Sequence, residues 1–282
     1  MNFYKILAAC VIAVLSSLVI FYYSGIARSE KIAITHDGVI NYHGKINRKN
    51  FEKLKRVYEK AKVKPTLLAI TSAGGSLMVG IDMGEWLVLN KLSVKVEKYC
   101  LSACATFIFP AGKEKYLGAQ ALLLWHGGAH QANLFEQFAN SLAGSHVDRD
   151  HEANAVMTKS KSPTPNAPCE FSLFASLTPE QTKTRHKEIE TCITHMKHRE
   201  IHFYNTLGID LNLPTYGQAE DCRRIHGKQS KGFYYSIPDM EKMGIKNIHL
   251  AEGTWQPQLN QLFSELKAFI AKPALLGACS NP

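Results

Sequence analysis

Apolar and polar residues in the first half of the chain alternate first with a strand-like spacing and then with a helix-like one. In segment 31–42 they alternate as in an extended strand, with a turn at Asp37 and Gly38. In segment 48–61 the apolar residues recur at intervals of three and four, which places four of them on one helical face. These four are Phe51, Leu54, Val57 and Tyr58. An extended segment followed by an amphipathic helix is therefore predicted.

The same alternation of element types continues to residue 126. Short apolar runs bounded by turn residues predict buried strands, and helical spacing between them predicts helices. The predicted strands are 65–71, 93–99 and 119–126, and the predicted helices are 77–89 and 103–109. Because helices usually supply the crossovers that parallel strands need, this order predicts an α/β fold with a mostly parallel sheet.

The second half of the chain opens with a break in this pattern. Residues 157–170 are rich in Pro, Ser and Lys, which is typical of a loop or an insertion. Helical spacing resumes over 179–206, and a short helix is predicted between a cap at Ser236 and a stop at Gly244. The C-terminal segment 256–271 is amphipathic, with its apolar residues on one side.

The N-terminal segment is apolar throughout. In residues 6–23 only Ser16 and Ser17 are polar, and a stretch of that length can cross a bilayer. It equally fits a secretory signal, because Gly25 to Ala27 offers small residues for cleavage. We therefore expect residues 1–27 to be a membrane anchor or a signal segment. Either alternative places the bulk of the chain on the periplasmic, extracytoplasmic side.

Composition narrows the class of protein. The 282 residues are 45% hydrophobic and 20% charged, which is typical of a globular protein with a sizeable core. The net charge of +9 is scattered and forms no basic stripe interleaved with aromatic residues, so no nucleic-acid partner is expected. Six of the seven cysteines lie beyond the apolar segment, an even number that suits an oxidising compartment.

Residues with chemical potential follow three of the predicted strands. Gly74 and Gly75 come directly after a buried strand, where a sharp turn leaves amide N–H groups uncovered and able to bind an oxyanion. Ser102 follows the next strand, and His126 ends the one after it. Because the carboxyl ends of parallel strands share one edge of a sheet, we expect these residues to converge on one crevice.

The sequence around these residues resembles a known family. "ITSAGGSLMVGIDMGEWL" and "CLSACATFIFPAGKEKYLGAQALLLWHGG" are similar to the proteolytic subunit of Clp protease and its crotonase-like relatives, especially exported members with a serine between two cysteines. The likeness spans 67 to about 134 and returns weakly at "YYSIPDMEKMGI". It implies a crotonase-like, Clp-type ββα spiral over residues 28–282, with an insertion at about 129–231.

The resemblance also implies the chemistry of a serine peptidase. Ser102 would be the nucleophile, His126 the general base, and the amides of Gly75 and Ala103 the oxyanion hole. A serine hydroxyl needs a neighbouring imidazole to take its proton, and the pKa of histidine suits that task. The implied substrate is a peptide or protein, and no metal or organic cofactor is implied. Related folds assemble as trimers or stacked rings, which makes a homo-oligomer plausible.

The aspartate that orients the histidine in Clp-type peptidases has no counterpart at the matching place. Aligning "FYYSIPDMEKMGI" with the family on Gly244 puts Gly232 where that acid would stand. Glu220 and Asp221, in the inserted stretch before it, are candidate replacements, and Asp210 is a more distant one. Without an orienting acid, a Ser-His dyad works more slowly.

Two questions stay open in the sequence. Cys100 and Cys104 either form a disulfide across the Ser102 turn or pack there as small apolar residues. The missing acid also leaves two alternatives to a peptidase. One is a catalytically silent crotonase-like module that binds a peptide or partner in the cleft, and the other is a hydrolase of acyl esters or thioesters.

Overall fold

The described part of the chain is built around one mostly parallel β-sheet. The computed structural model describes residues 30–35, 37–131, 134, 179–226, 229–251 and 253–273. The strands are β1 (Lys31–Ile34), β2 (Ile40–His43), β3 (Leu67–Ser72), β4 (Ser93–Leu101), β5 (Lys115–Leu117), β6 (Leu122–Leu124), β7 (Phe233–Tyr234), β8 (Ile248–Leu250) and β9 (Phe269–Ile270).

Seven of these strands form the main sheet, in which β1, β2, β3, β4, β5 and β8 are successive neighbours. Only the pairing of β1 with β2 is antiparallel, and the other pairings described in this sheet are parallel. β7 and β9 form a separate parallel pair. The predicted α/β class with a mostly parallel sheet is therefore confirmed.

Strand β4 pairs with two different strands along its length. Its first half lies beside β5, with Val94 opposite Lys115, and its last three residues lie beside β6, with Leu101 opposite Leu124. The carboxyl end of β4 therefore lies next to the carboxyl end of β6. This register brings the turn after Leu101 close to the residues that follow Leu124.

The helices connect and cover these strands. They are α1 (Arg48–Lys60), α2 (Leu77–Leu89), α3 (Phe109–Ala111), α4 (Pro179–Leu207), α5 (Glu220–His226), α6 (Ile237–Lys242) and α7 (Gln261–Glu265). The side chains of Asn47, Ser76 and Ser236 cap the N-termini of α1, α2 and α6, respectively, by accepting a backbone N–H from the first turn. The predicted Ser236 cap is thus confirmed.

Helix α4 belongs to the predicted insertion and packs directly on α2. The Arg199 guanidinium contacts the carboxylates of Asp82 at 3.1 Å and Glu85 at 2.7 Å. Tyr204 is fully buried, and its hydroxyl donates to the carbonyl of Thr106 at 3.0 Å. The C-terminal half of α4 is therefore part of the same packed core as the sheet.

The structure adds detail to two predicted segments. The predicted buried helix 103–109 is confirmed, as a π-helix over Cys104–Ile108 that continues into α3. The amphipathic segment 256–271 is divided into a 3₁₀ turn, α7 and β9, and Lys267 within it has a left-handed φ of 47°. Apolar spacing alone did not reveal this interruption.

The predicted membrane anchor or signal segment, residues 1–27, lies outside the described residues. Within the part of the chain that the structure covers, no helix has both the length and the apolar character that crossing a bilayer requires. The predicted loop at 157–170 also lies outside the described residues. Both assignments stay predictions.

Candidate active site

Ser102 occupies a strained turn between β4 and the π-helix. Its φ is +56°, in the left-handed region, which costs a residue other than glycine about 1 kcal/mol or more. Its N–H donates to the carbonyl of Leu124 at 2.9 Å, and its own carbonyl accepts the N–H of Thr106 at 2.9 Å. These two hydrogen bonds hold the turn between β6 and the following helix. The side chain is half-buried.

A disulfide joins Cys100 to Cys104 and so spans this turn. Of the two alternatives that the sequence left open, the structure therefore has the disulfide. Both cysteines are fully buried. The crosslink connects the end of β4 to the first residue of the π-helix, and it therefore restricts the backbone on either side of Ser102. Cys192 and Cys222 are disulfide-bonded as well.

The Gly74–Gly75 turn packs against the backbone of the serine turn. Gly74 has a φ of +89°, and a Cβ there would lie 2.7 Å from the Cβ of Ser102 and 3.0 Å from the amide nitrogen of Ala103. A Cβ on Gly75 would overlap the carbonyl oxygen of Ile46. Both positions therefore require glycine, and the close approach depends on it.

The amides of Gly75 and Ala103 make no hydrogen bond with any described residue. The residues on either side of Gly75 do make backbone hydrogen bonds. The Gly74 carbonyl accepts the N–H of Ile46 at 2.8 Å, and the Ser76 N–H donates to the carbonyl of Ile46 at 2.9 Å. Buried backbone N–H groups are nearly always paired, and Ala103 is fully buried. Backbone N–H groups without a partner are the kind of donor that an oxyanion hole uses.

His126 lies two residues beyond the end of β6, the strand that pairs with the carboxyl end of β4. Its carbonyl accepts a hydrogen bond from the side-chain amide of Gln218 at 2.5 Å, and the preceding Trp125 exchanges two backbone hydrogen bonds of 2.8 Å with Phe233. Adjacent strands are about 4.8 Å apart, so the backbones of Ser102 and His126 follow neighbouring strand ends. No hydrogen bond joins their side chains among the contacts that the described residues make.

The imidazole of His126 has solvent access, yet the protein around it lowers its pKa from the usual value. Desolvation of the charged form is the main cause, and a backbone hydrogen bond of the residue itself opposes it. A lowered pKa keeps the imidazole neutral near pH 7. A neutral imidazole is the form that can accept a proton from a hydroxyl.

No carboxylate within the described residues pairs with His126. A Cβ on Gly232 would lie 2.6 Å from the carbonyl oxygen of Trp125, so this position has no room for an aspartate. Asp210 accepts hydrogen bonds from the Tyr216 hydroxyl and the Asn212 N–H, each at 2.8 Å. Glu220, the first residue of α5, is exposed, and the side chain of Asp221 lies outside the described part. The prediction that either acid replaces the missing one gains no support.

A buried carboxylate that the sequence did not point to holds the loop after His126. Glu200, on α4, is fully buried. One of its oxygens accepts the N–H of Ala129 at 2.8 Å, and the other lies 3.0 Å from Nδ1 of His130. A Cβ on Gly128 would lie 2.8 Å from the same carboxylate. Ala129 and Glu200 are 71 positions apart in the chain, and no sequence motif predicts their contact.

Comparison with known proteins gives weak structural similarity and no match in sequence. No protein-family model matches the chain, and no curated protein matches it. Among solved structures it is similar to the crystal structure of the ClpP protease catalytic domain from Plasmodium falciparum, with 15% sequence identity and a TM-score of 0.26. The similarity covers 31% of this chain and 55% of that one, about half of the solved domain. Function must therefore be inferred from the geometry of the chain itself.

Proposed function

We propose that this chain is a serine hydrolase with a crotonase-like, Clp-type active site, in which Ser102 is the nucleophile and His126 the general base. The observation that carries the proposal is the strained Ser102 turn, packed against the Gly74–Gly75 turn and bordered by two unused amides. Strain at a residue other than glycine persists only where the surrounding structure enforces it, and such residues concentrate at functional sites.

The reaction follows from these positions. The Ser102 oxygen attacks the carbonyl carbon of the substrate while the His126 imidazole takes the hydroxyl proton. The N–H groups of Gly75 and Ala103 donate to the oxyanion that forms, each contributing on the order of 3 kcal/mol to the transition state. The imidazolium then gives its proton to the leaving group. Water, deprotonated by the same imidazole, releases the acyl group from Ser102.

The histidine is positioned through its backbone in this proposal. Gln218 binds the carbonyl of His126, and the buried Glu200 holds the loop that follows it. These contacts hold the backbone at His126 and in the loop after it, although no acid holds the ring itself within the described residues. Catalysis by a serine and a histidine alone is expected to be slower than by a complete triad.

A peptide or protein is the substrate class we propose, because the sequence motifs resemble those of Clp-type peptidases. We further propose that the chain acts outside the cytoplasm, on the periplasmic side, attached through residues 1–27 or exported by them. Disulfides at Cys100, Cys104, Cys192 and Cys222 support an oxidising compartment. A homo-oligomer remains part of the proposal on the strength of the sequence resemblance.

Turnover assays on the full chain distinguish the proposed peptidase from its two alternatives. Fluorogenic peptides and a p-nitrophenyl ester of a short fatty acid would be offered to the wild type in detergent. The proposal predicts peptide cleavage. Ester hydrolysis without any peptide cleavage would identify an acyl hydrolase instead. If folded protein turned over neither substrate, the silent binding module would be the correct interpretation.

The pH dependence of kcat/KM tests the role of His126. Because desolvation lowers the pKa of this imidazole, the neutral base persists to a lower pH than usual. We expect activity to be full near neutral pH and to fall as the pH decreases, with a midpoint below the ordinary histidine pKa of 6.5. A midpoint clearly above 6.5 would show that another group, or a charged partner of His126, controls the rate.

A further inference from the structure

A cavity of about 250 Å³ lies at the opposite end of β4 from Ser102. It is bordered by Gly112 and Lys113, and the N–H of Lys113 donates to the carbonyl of Leu92, the residue before β4. β4 has nine residues, and its rise therefore puts the cavity about 30 Å from the serine turn. The cavity is separate from the candidate active site.

The lining of this cavity combines positive charge with apolar surface. Lys91, Lys113, Lys115 and Lys246 line it, and no acidic residue is present among its lining residues in the described part. The apolar lining residues include Val88, Pro110, Leu207 and Ile209. No acidic residue of the lining offsets the positive charge of these four lysines, and a bound anion would do so.

Lys115 is the most unusual of the four lysines. Its residue is only 5% exposed, and its ammonium group donates to the carbonyl of Gly112 at 2.6 Å. An ammonium group has three donors, and the described residues supply no second acceptor and no ion pair for it. Burial lowers its pKa to about 8, with Glu114 opposing the change. The Glu114 carboxylate itself lies 2.7 Å from Nε2 of His249.

We propose that this lysine-lined cavity binds an organic phosphate with an apolar body. The phosphate oxygens would accept hydrogen bonds from the Lys115 ammonium group and from the exposed lysines at the rim. Lysine binds phosphate as a point charge, so no bidentate geometry is needed. The apolar body would lie against the wall formed by residues such as Val88 and Leu207. This site is independent of the proposed hydrolase function.

Calorimetric titration of the full chain tests the site with three probes: phenyl phosphate, inorganic phosphate and phenol. We expect saturable binding of phenyl phosphate, weaker binding of inorganic phosphate and none of phenol. Lys115→Met keeps the aliphatic length and removes the charge, and should weaken phenyl phosphate binding at least tenfold. Lys53→Met removes an exposed lysine of α1 that does not line the cavity, and should change binding less than twofold.

A second variant guards against misfolding of Lys115→Met. Lys91 and Lys113 are exposed, so the double replacement by Met should leave the fold intact and still weaken binding severalfold. The site is disproved if wild type does not bind phenyl phosphate, or if Lys53→Met weakens binding as much as the cavity variants do. Phosphatidylglycerol vesicles added as competitor separate two sources of the phosphate. Displacement would identify lipid head groups as ligands, and indifference would identify a soluble phosphate.

Discussion

Ser102→Gly is expected to abolish hydrolysis and at the same time to make the protein more stable. The replacement removes the proposed nucleophile, so turnover should fall by about 10³-fold or more. It also relieves the strain of a φ of +56°, because glycine adopts the left-handed region without steric cost. Glycine loses more backbone entropy on folding than serine does, and this loss offsets part of the relief. The free energy of unfolding should therefore rise by a net value of about 0.5–1 kcal/mol.

Ser102→Ala is the matched control for this result. It removes the same hydroxyl but keeps a Cβ in the left-handed backbone, so it should be equally inactive without the gain in stability. Thermal unfolding of the two variants beside wild type measures the difference, at about 2–4 °C for each kcal/mol in a domain of this size. If Ser102→Ala kept wild-type turnover, the serine would not be the nucleophile.

Gly74→Ala should strongly destabilise the protein at the candidate site. The new Cβ would lie 2.5 Å from the carbonyl oxygen of Leu101 and 2.7 Å from the Cβ of Ser102, and it would adopt a φ of +89°. Left-handed strain and overpacking together should cost about 3 kcal/mol or more. Because the clash pushes the serine turn away from the glycine turn, the folded fraction should also lose most of its turnover.

Gly38→Ala provides the control for Gly74→Ala. Gly38 has a similar φ of +72°, but nothing lies within 4 Å of the position of its Cβ. Gly38→Ala should lower the free energy of unfolding by only about 1 kcal/mol, because it adds backbone strain without a clash. It should leave turnover unchanged. Urea unfolding of both variants measures the two costs. Equal costs would mean that the Gly74–Gly75 turn does not press on the serine turn.

The parts of the fold that the sequence predicted are those with long periodic segments. Helices α1 and α2 bury a face whose spacing is visible in the residues, and β3 and β4 are apolar or alternating over six and nine residues. β5 and β8 have three residues each and carry no such pattern. They form because adjacent strands of the sheet supply hydrogen-bonding partners for them. The local sequence does not contain that information.

The candidate site divides in the same way. The need for glycine at Gly74 and the lack of a carboxylate at Gly232 were both visible in the sequence. The left-handed backbone at Ser102 was not, because serine has no special preference for it. Glu200 was not found either, because its contact with Ala129 depends on how α4 packs. Tertiary contacts, which single-sequence patterns do not encode, decide these features.

Mass spectrometry after reaction with a fluorophosphonate probe tests the central claim most directly. The full chain would be labelled, digested and mapped, with denatured protein as the control for non-specific reaction. The account predicts one phosphonate adduct, on the oxygen of Ser102, formed by the folded wild type and lost when His126 is replaced by alanine. Folded protein that takes up no label at Ser102, or takes it up equally well without His126, would contradict the account.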